Sequence, residues 1–266
     1  MRTLILSLLS GITLFVACTN TTENQINIAK TAYNPDLPPG TISAIVTISN
    51  LNCWIEQDQF FVIGICDNGS DEWQKIWLSM TPLDADGRQL KVFGDSSSMF
   101  PTFSDAVPPR GRTSFFASWP LSEFSGTPDS CLIKGAAALP LTSGPILIAT
   151  EQSGVKIMMP EKPGDSISVE KAWQVNTMVE NPLDMQAAAP KVELLIYGTD
   201  KKLWFATVLN PEDPEQKKYV NADRTGSMEP KERRRIGASV IYDNLPKALK
   251  ENKIGRVEFQ AFESRQ

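Results

Sequence analysis

The sequence predicts an all-β fold: two tandem antiparallel β-sandwiches behind an N-terminal leader and a polar tether. Three observations predict it. Nineteen prolines are spread along the 266 residues, and proline inside a helix removes a hydrogen bond and clashes with the preceding turn. Short stretches alternate apolar and polar residues with a period of two, as half-buried strands do. One order of strands and turns also occurs twice.

The leader covers residues 1–17. It has one charge, Arg2, then an apolar run from Leu4 to Val16, then Ala17 and Cys18. A basic start, a short apolar core and a small residue at the cut are the layout of a secretory signal. The core, about 13 residues, is short of the ~20 that span a bilayer. Residues 18–40 are polar and proline-bearing without apolar periodicity, and read as a flexible tether. The first sandwich is expected over 41–160 and the second over 161–266.

The two repeats match element by element. A strand ends in an Asn turn, FFVIGICDNGS at Asn68 and WQVNTMVENPLD at Asn181. A hairpin follows, pivoting on Asp86-Gly87 in one repeat and Thr199-Asp200 in the other. A proline-led turn, Pro108-Pro109 or Pro230, opens the next strand. Helical links are expected at Leu121 to Phe124 and Leu245 to Leu249, each leading to a closing strand. Val192, Leu194 and Ile196 share one face of their strand. Val257, Phe259 and Ala261 share one face against Arg256, Glu258 and Gln260. Ile148 and Val155 are assigned to a last hairpin of the first repeat. The boundary is then the stiff linker Pro160-Glu161-Lys162-Pro163-Gly164, which predicts halves that fold independently.

Composition removes several chemistries. There is no histidine, so no Ser-His-Asp or Cys-His centre is possible. No phosphate-binding or dinucleotide fingerprint is present. Residues 18–160 carry 14 acidic and 8 basic side chains, and residues 161–266 carry 17 of each. Neither half has the positive balance of a nucleic-acid binder. Neither a cofactor nor a resident metal is expected. Asp84-Ala85-Asp86-Gly87 has the start of a calcium loop, but no Glu stands at the twelfth position, and a hairpin turn explains Asp-Gly without a metal.

Other candidates weigh a structural reading against a functional one. Lys231, Arg233 and Arg235 would face one way from a strand, with Arg234 and Ile236 turned inward. They form a possible site for lipid phosphate or an acidic partner, or else a charged edge strand that blocks aggregation. The acidic pairs Asp71-Glu72, Glu56 with Asp58, and Glu212-Asp213 fall in loops, where carboxylates are usually solvated. Trp204, beside Lys201 and Lys202, is the aromatic residue expected as an exposed contact. Of the cysteines left beside Cys18, strand order places Cys53 and Cys131 at one end. It predicts a Cys53–Cys131 disulfide and a free, partly buried Cys66.

Two resemblances follow from these residues. Phe15-Val16-Ala17-Cys18 resembles the lipobox of bacterial lipoproteins, which implies cleavage before Cys18 and lipid on that residue. Thr19 after it, rather than Asp, implies outer-membrane sorting, facing the periplasm. The turns Cys66-Asp67-Asn68-Gly69-Ser70, Leu83-Asp84-Ala85-Asp86-Gly87 and Pro109-Arg110-Gly111-Arg112-Thr113-Ser114-Phe115 resemble those of FxLyD-like and related immunoglobulin-like domains of bacterial envelope proteins. That resemblance implies two tandem immunoglobulin-like sandwiches, anchored in the membrane through lipid on Cys18. It implies protein binding or scaffolding with an envelope partner, and it carries no catalytic residues. The alternatives are a carboxylate-dependent cell-wall glycan hydrolase and a tethered subunit of a secretion or pilus assembly.

Overall fold

The computed structural model describes residues 26–28, 46–93, 99–104, 106–138, 147–158, 172–241, 245–252 and 254–263. Cys18 and the segment 160–164 lie outside them. Among the described residues, fourteen strands form in order: β1 (Ile26–Ile28), β2 (Val46–Glu56), β3 (Gln59–Asn68), β4 (Lys75–Leu83), β5 (Met99–Pro101), β6 (Arg112–Pro120), β7 (Ser130–Ala138), β8 (Ile148–Met158), β9 (Ala172–Glu180), β10 (Pro190–Gly198), β11 (Leu203–Leu209), β12 (Val220–Ala222), β13 (Arg233–Ile241) and β14 (Ile254–Glu263). A 3-10 turn at Leu121–Glu123 and helix α1 at Lys247–Asn252 stand at the two expected helical links. The fold is all-β, as its alternating pattern requires.

Every strand pair is antiparallel. The sheets run β1-β2-β3-β6 and β5-β4-β7 in the first repeat, and β8-β9-β13-β12 and β11-β10-β14 in the second. The repetition is therefore topological: β2, β3 and β6 match β8, β9 and β13, and β4 and β7 match β10 and β14, with β5 taking beside β4 the place that β11 takes beside β10. In the first repeat Val46, Ile48, Phe60, Val62 and Phe115 meet Ile76, Leu78 and Ile133 between the sheets. In the second, Trp173, Val175 and Ile236 meet Val192, Leu194, Ile196 and Val257. The inward face read from alternation on β10 is buried, and that on β14 packs on the same core through buried Val257 and partly buried Phe259 and Ala261.

Three sequence expectations are corrected. β8 pairs with β9 from Ile148↔Glu180 to Met158↔Ala172, so Ile148 and Val155 belong to a sheet of the second repeat. The crossing between repeats precedes Leu147 rather than falling at 160–164. Local pattern could not choose, since a strand pairs equally well with a neighbour before or after it. Part of the tether is also a strand: Ile26–Ile28 pairs with Val46–Ile48, using the short alternation Ile-Asn-Ile.

The third correction concerns the disulfide. Cys131 is a free, fully buried thiol, so it does not bond Cys53. Gly135 backs onto Val46, close enough that a Cβ there would meet the Val46 side chain at 2.8 Å. Cys131 lies four residues before Gly135, whereas Cys53 lies seven after Val46. The mismatch of about three residues, at ~3.3 Å each, exceeds the Cα separation a disulfide spans. Cys66 is a free thiol as expected, and it is fully buried.

Candidate functional site

The polar turn at the head of each repeat is built the same way twice. Asn68 Nδ2 donates to the carbonyls of Glu72 and Pro108 at 2.8 and 2.9 Å, and its Oδ1 accepts from the Ser70 amide. Asn181 Nδ2 donates to the carbonyls of Met185 and Glu229 at 2.8 and 3.0 Å, and its Oδ1 accepts from the Leu183 amide. Arg110 and Lys231 occupy matching left-handed positions, φ 54° and 59°. Arg110 pairs with Asp71 at 2.8 Å and Lys231 with Asp184 at 3.2 Å. The Arg110 guanidinium, through its hydrogen bond and its charge, holds the Asp71 carboxyl below the usual range.

This construction decides the basic run. Lys231, Arg233 and Arg235 do point outward, and each meets a carboxylate: Asp184, Glu180 and Asp223. Arg234 turns inward and is buried. It donates to Glu232, at 2.9 Å from Nη2, and to the carbonyls of Gly226 and Ser227. Burial by itself would raise the Glu232 carboxyl, but the Glu229 amide, the Arg234 guanidinium and the Arg224 charge bring it below its ordinary value. β12 pairs with β13 from Ile236 to Ala238, beyond the run, and Asp223 meets the outer edge at Arg235.

Several loop carboxylates have structural tasks. Asp84 Oδ1 accepts the amides of Asp86 and Arg88, and Gly87 supplies the positive φ of 77° that closes that turn. The Glu56 carboxylate accepts the Lys247 amide at the start of α1. Glu212 accepts the Gly226 amide, and Asp213 accepts the Glu215 amide. Among the described residues, no group of three or more His, Cys, Asp and Glu is placed to hold a metal ion.

What the sequence did not reveal is the junction between repeats. The outer face of β10 carries Glu193, Leu195 and Tyr197, all buried. Leu195, Tyr197 and Leu203 pack on Ile63 and Ile65 of β3, with Trp54 and Ala206 beside them. Asn52 Nδ2 donates across the junction to the Leu203 carbonyl at 3.0 Å. Arg112 and Arg256 flank Glu258 at 3.3 and 3.2 Å. Tyr197 donates its hydroxyl to Glu258 at 3.1 Å, and its ring lies under the Arg256 guanidinium at 4.1 Å. The signal was present: Leu195 and Tyr197 make β10 apolar on both faces, as in a strand covered on both sides.

Glu193 is the chemical centre of the junction. Its Oε1 accepts from the Thr113 hydroxyl, and its Oε2 accepts from the Ser114 amide and hydroxyl at 2.9 and 2.8 Å. Burial pushes the carboxyl up to about 7, and the three donors with the nearby Arg112 charge hold it from going higher. All three donors come from β6 of the first repeat.

Trp204 lies at the rim of the same junction. It is half-buried, and its indole donates to Asp200 at 3.0 Å. A row of rings continues from it: Trp204 edge-on to Trp54 at 5.2 Å, Trp54 stacked on Phe61 at 5.1 Å, and Phe61 beside Phe116 at 5.9 Å. The row passes from the closed junction to the open face of the first repeat, where Phe116 is 39% exposed. Trp204 is thus the inner end of an aromatic surface whose outer end is Phe116, a residue not singled out from sequence.

No family model and no curated protein matches this chain. Among solved structures, it is similar to the crystal structure of red sea bream transglutaminase, at 15% identity and a TM-score of 0.22. The match covers 79% of this chain and 28% of that one. A similarity this distant carries no functional argument.

Proposed function

We propose that this chain is a lipid-anchored cell-envelope protein of the outer membrane, facing the periplasm, that binds or scaffolds other proteins without catalysis. The leader and Cys18 support the address. The observation that carries the function is the row Trp204–Trp54–Phe61–Phe116, which ends exposed on a sheet face. Aromatic side chains give large contact area at low entropic cost and dominate the centres of protein interfaces. Of the loop carboxylate pairs, Glu56, Glu212 and Asp213 are engaged with backbone amides, and Asp71 with Arg110.

The test is site-specific photo-crosslinking in intact envelopes. A photo-reactive residue at position 116 should give a discrete crosslinked species, while one at Met185, which is 58% exposed elsewhere, should not. The same pattern from both positions would overturn the reading. Cys18→Ala should abolish lipid labelling and release the protein from membranes, and unchanged labelling would remove the anchor.

A further inference from the structure

The two repeats differ in how they close one sheet edge. β6 and β13 are equivalent: Arg112 pairs with Asp67 just as Arg233 pairs with Glu180, each beside its Asn turn. Phe116 therefore corresponds to Gly237, and Ser118 to Ser239. At alternate positions these strands turn their backbone groups away from β3 and β9. Ser114 thus accepts from the Phe103 amide, and Arg235 from the Asp223 amide. In both, a carboxylate takes the outward amide at this position, Glu193 for Ser114 and Asp223 for Arg235.

Beyond that point the repeats part. In the second, the chain before Asp223 continues along the edge as β12, with Asn221 opposite Gly237 and Val220 opposite Ala238. The Ser239 amide donates to the Tyr219 carbonyl at 2.7 Å. In the first, the chain before Phe103 leaves for the other sheet, where β5 pairs with β4. β6 is consequently an end strand, and no strand among the described residues pairs with its edge at Phe116 and Ser118. The strand's own residues do not blunt that edge either. Thr113 to Trp119 holds no charge and no proline, the devices that usually blunt an edge. Where Gly237 faces Asn176 and Asn221, the first repeat sets Phe116 beside Phe61.

We propose that the β6 edge at Phe116 and Ser118 binds an extended segment of a partner protein by strand addition, with an apolar or aromatic side chain of that segment laid against Phe116 and Phe61. β12 shows the seat that such a segment takes: antiparallel, three residues paired, alternate side chains on the outer face. Main-chain bonds supply affinity in this mode, and alternate side chains supply specificity. The inference rests on the reading of the aromatic face as a binding surface.

Residue-resolved amide exchange on the full chain tests it. In the free protein the Phe116 and Ser118 amides should exchange fast, and the Ser239 amide slowly. The probe is a capped peptide of residues 218–223 carrying Asn221→Phe. Its saturable addition should slow Phe116 and Ser118 by about tenfold or more and leave Ser239 unchanged. Ser118→Pro removes an outward amide without touching a β3 bond and should abolish the effect. Phe116→Thr keeps the edge and should weaken peptide binding about fivefold or more. Both variants should retain the native Tm.

Three results overturn the proposal: Phe116 and Ser118 as protected as Ser239 in the free chain, protection that follows self-association of the protein, or no slowing at millimolar peptide. An envelope crosslink at position 116 that survives Ser118→Pro would remove strand addition and leave the binding surface. Peptide binding at the edge with no envelope crosslink would remove the envelope function alone.

Discussion

Glu193 caps the outward amide of Ser114 across the junction between the two repeats, and takes the Ser114 hydroxyl on the same oxygen. This one carboxylate both closes part of the β6 edge and ties the second repeat to the first.

The first prediction follows from its position. A carboxyl raised from an ordinary 4.5 to about 7 keeps its proton in the folded state while the unfolded chain has lost it. Stability is then highest below about pH 4.5 with respect to this group, falls as pH rises through that window, and levels off above about 7. The full difference is about 3 kcal/mol. Glu193→Gln should flatten this dependence, since an amide can accept from the Ser114 amide and donate to Thr113. Urea melts from pH 4.5 to 8 decide it; an unchanged slope in the variant would assign the effect elsewhere.

Asn68 and Asn181 are themselves buried, and each joins two turn carbonyls and one turn amide through its side chain. Asn68→Ala should cost about 2 to 4 kcal/mol, because its bonds to the Glu72 and Pro108 carbonyls and from the Ser70 amide are lost together. Asn181→Ala should cost a similar amount. Equilibrium denaturation measures both, and a loss under ~0.5 kcal/mol in either would show that water replaces the side chain.

Fragments test the assignment of β8. A fragment of residues 147–266 keeps the strand that pairs with β9, and one of residues 163–266 does not. Both expose Leu195 and Tyr197, so neither should match the full chain in stability. The shorter should melt lower and less cooperatively than the longer. Equal melting curves would mean that β8 adds nothing to that sheet.

The thiols of Cys66 and Cys131 should be inert in the native protein. Burial pushes the Cys131 thiol up to about 12, and pushes Cys66 further in the same direction with help from the charges of Asp67 and Glu193. The thiolate is the reactive form. Alkylation at pH 8 should modify neither until denaturant is added, and mapping should find no Cys131 peptide joined to Cys53. Rapid native labelling of Cys66 would show that β3 opens locally.

Much of this architecture was legible because it is local. The Asn turns, the proline-led turns, the helical links and the inward faces of β10 and β14 follow from residues within a few positions of one another. Arg234 turning inward followed from alternation alone. The junction was not legible in the same way. Tyr197 and Leu195 could have meant a second covered face, but which surface covered them depended on Ile63 and Ile65, over a hundred residues away. The burial of Glu193 likewise depends on Thr113 and Ser114. The partner of β8 and the non-bonding of Cys131 are matters of register between sheets, which no single strand records.

The divergence of β5 and β12 has a consequence for how such a chain could acquire a role. A duplicated fold begins with two identical surfaces, and whatever one half recognises the other recognises too. Rerouting three residues from one sheet to the other breaks that equivalence without disturbing either interior. One half can then remain inert toward extended chains while its twin becomes receptive. Specialisation of this kind needs no new element, only a different destination for an old one.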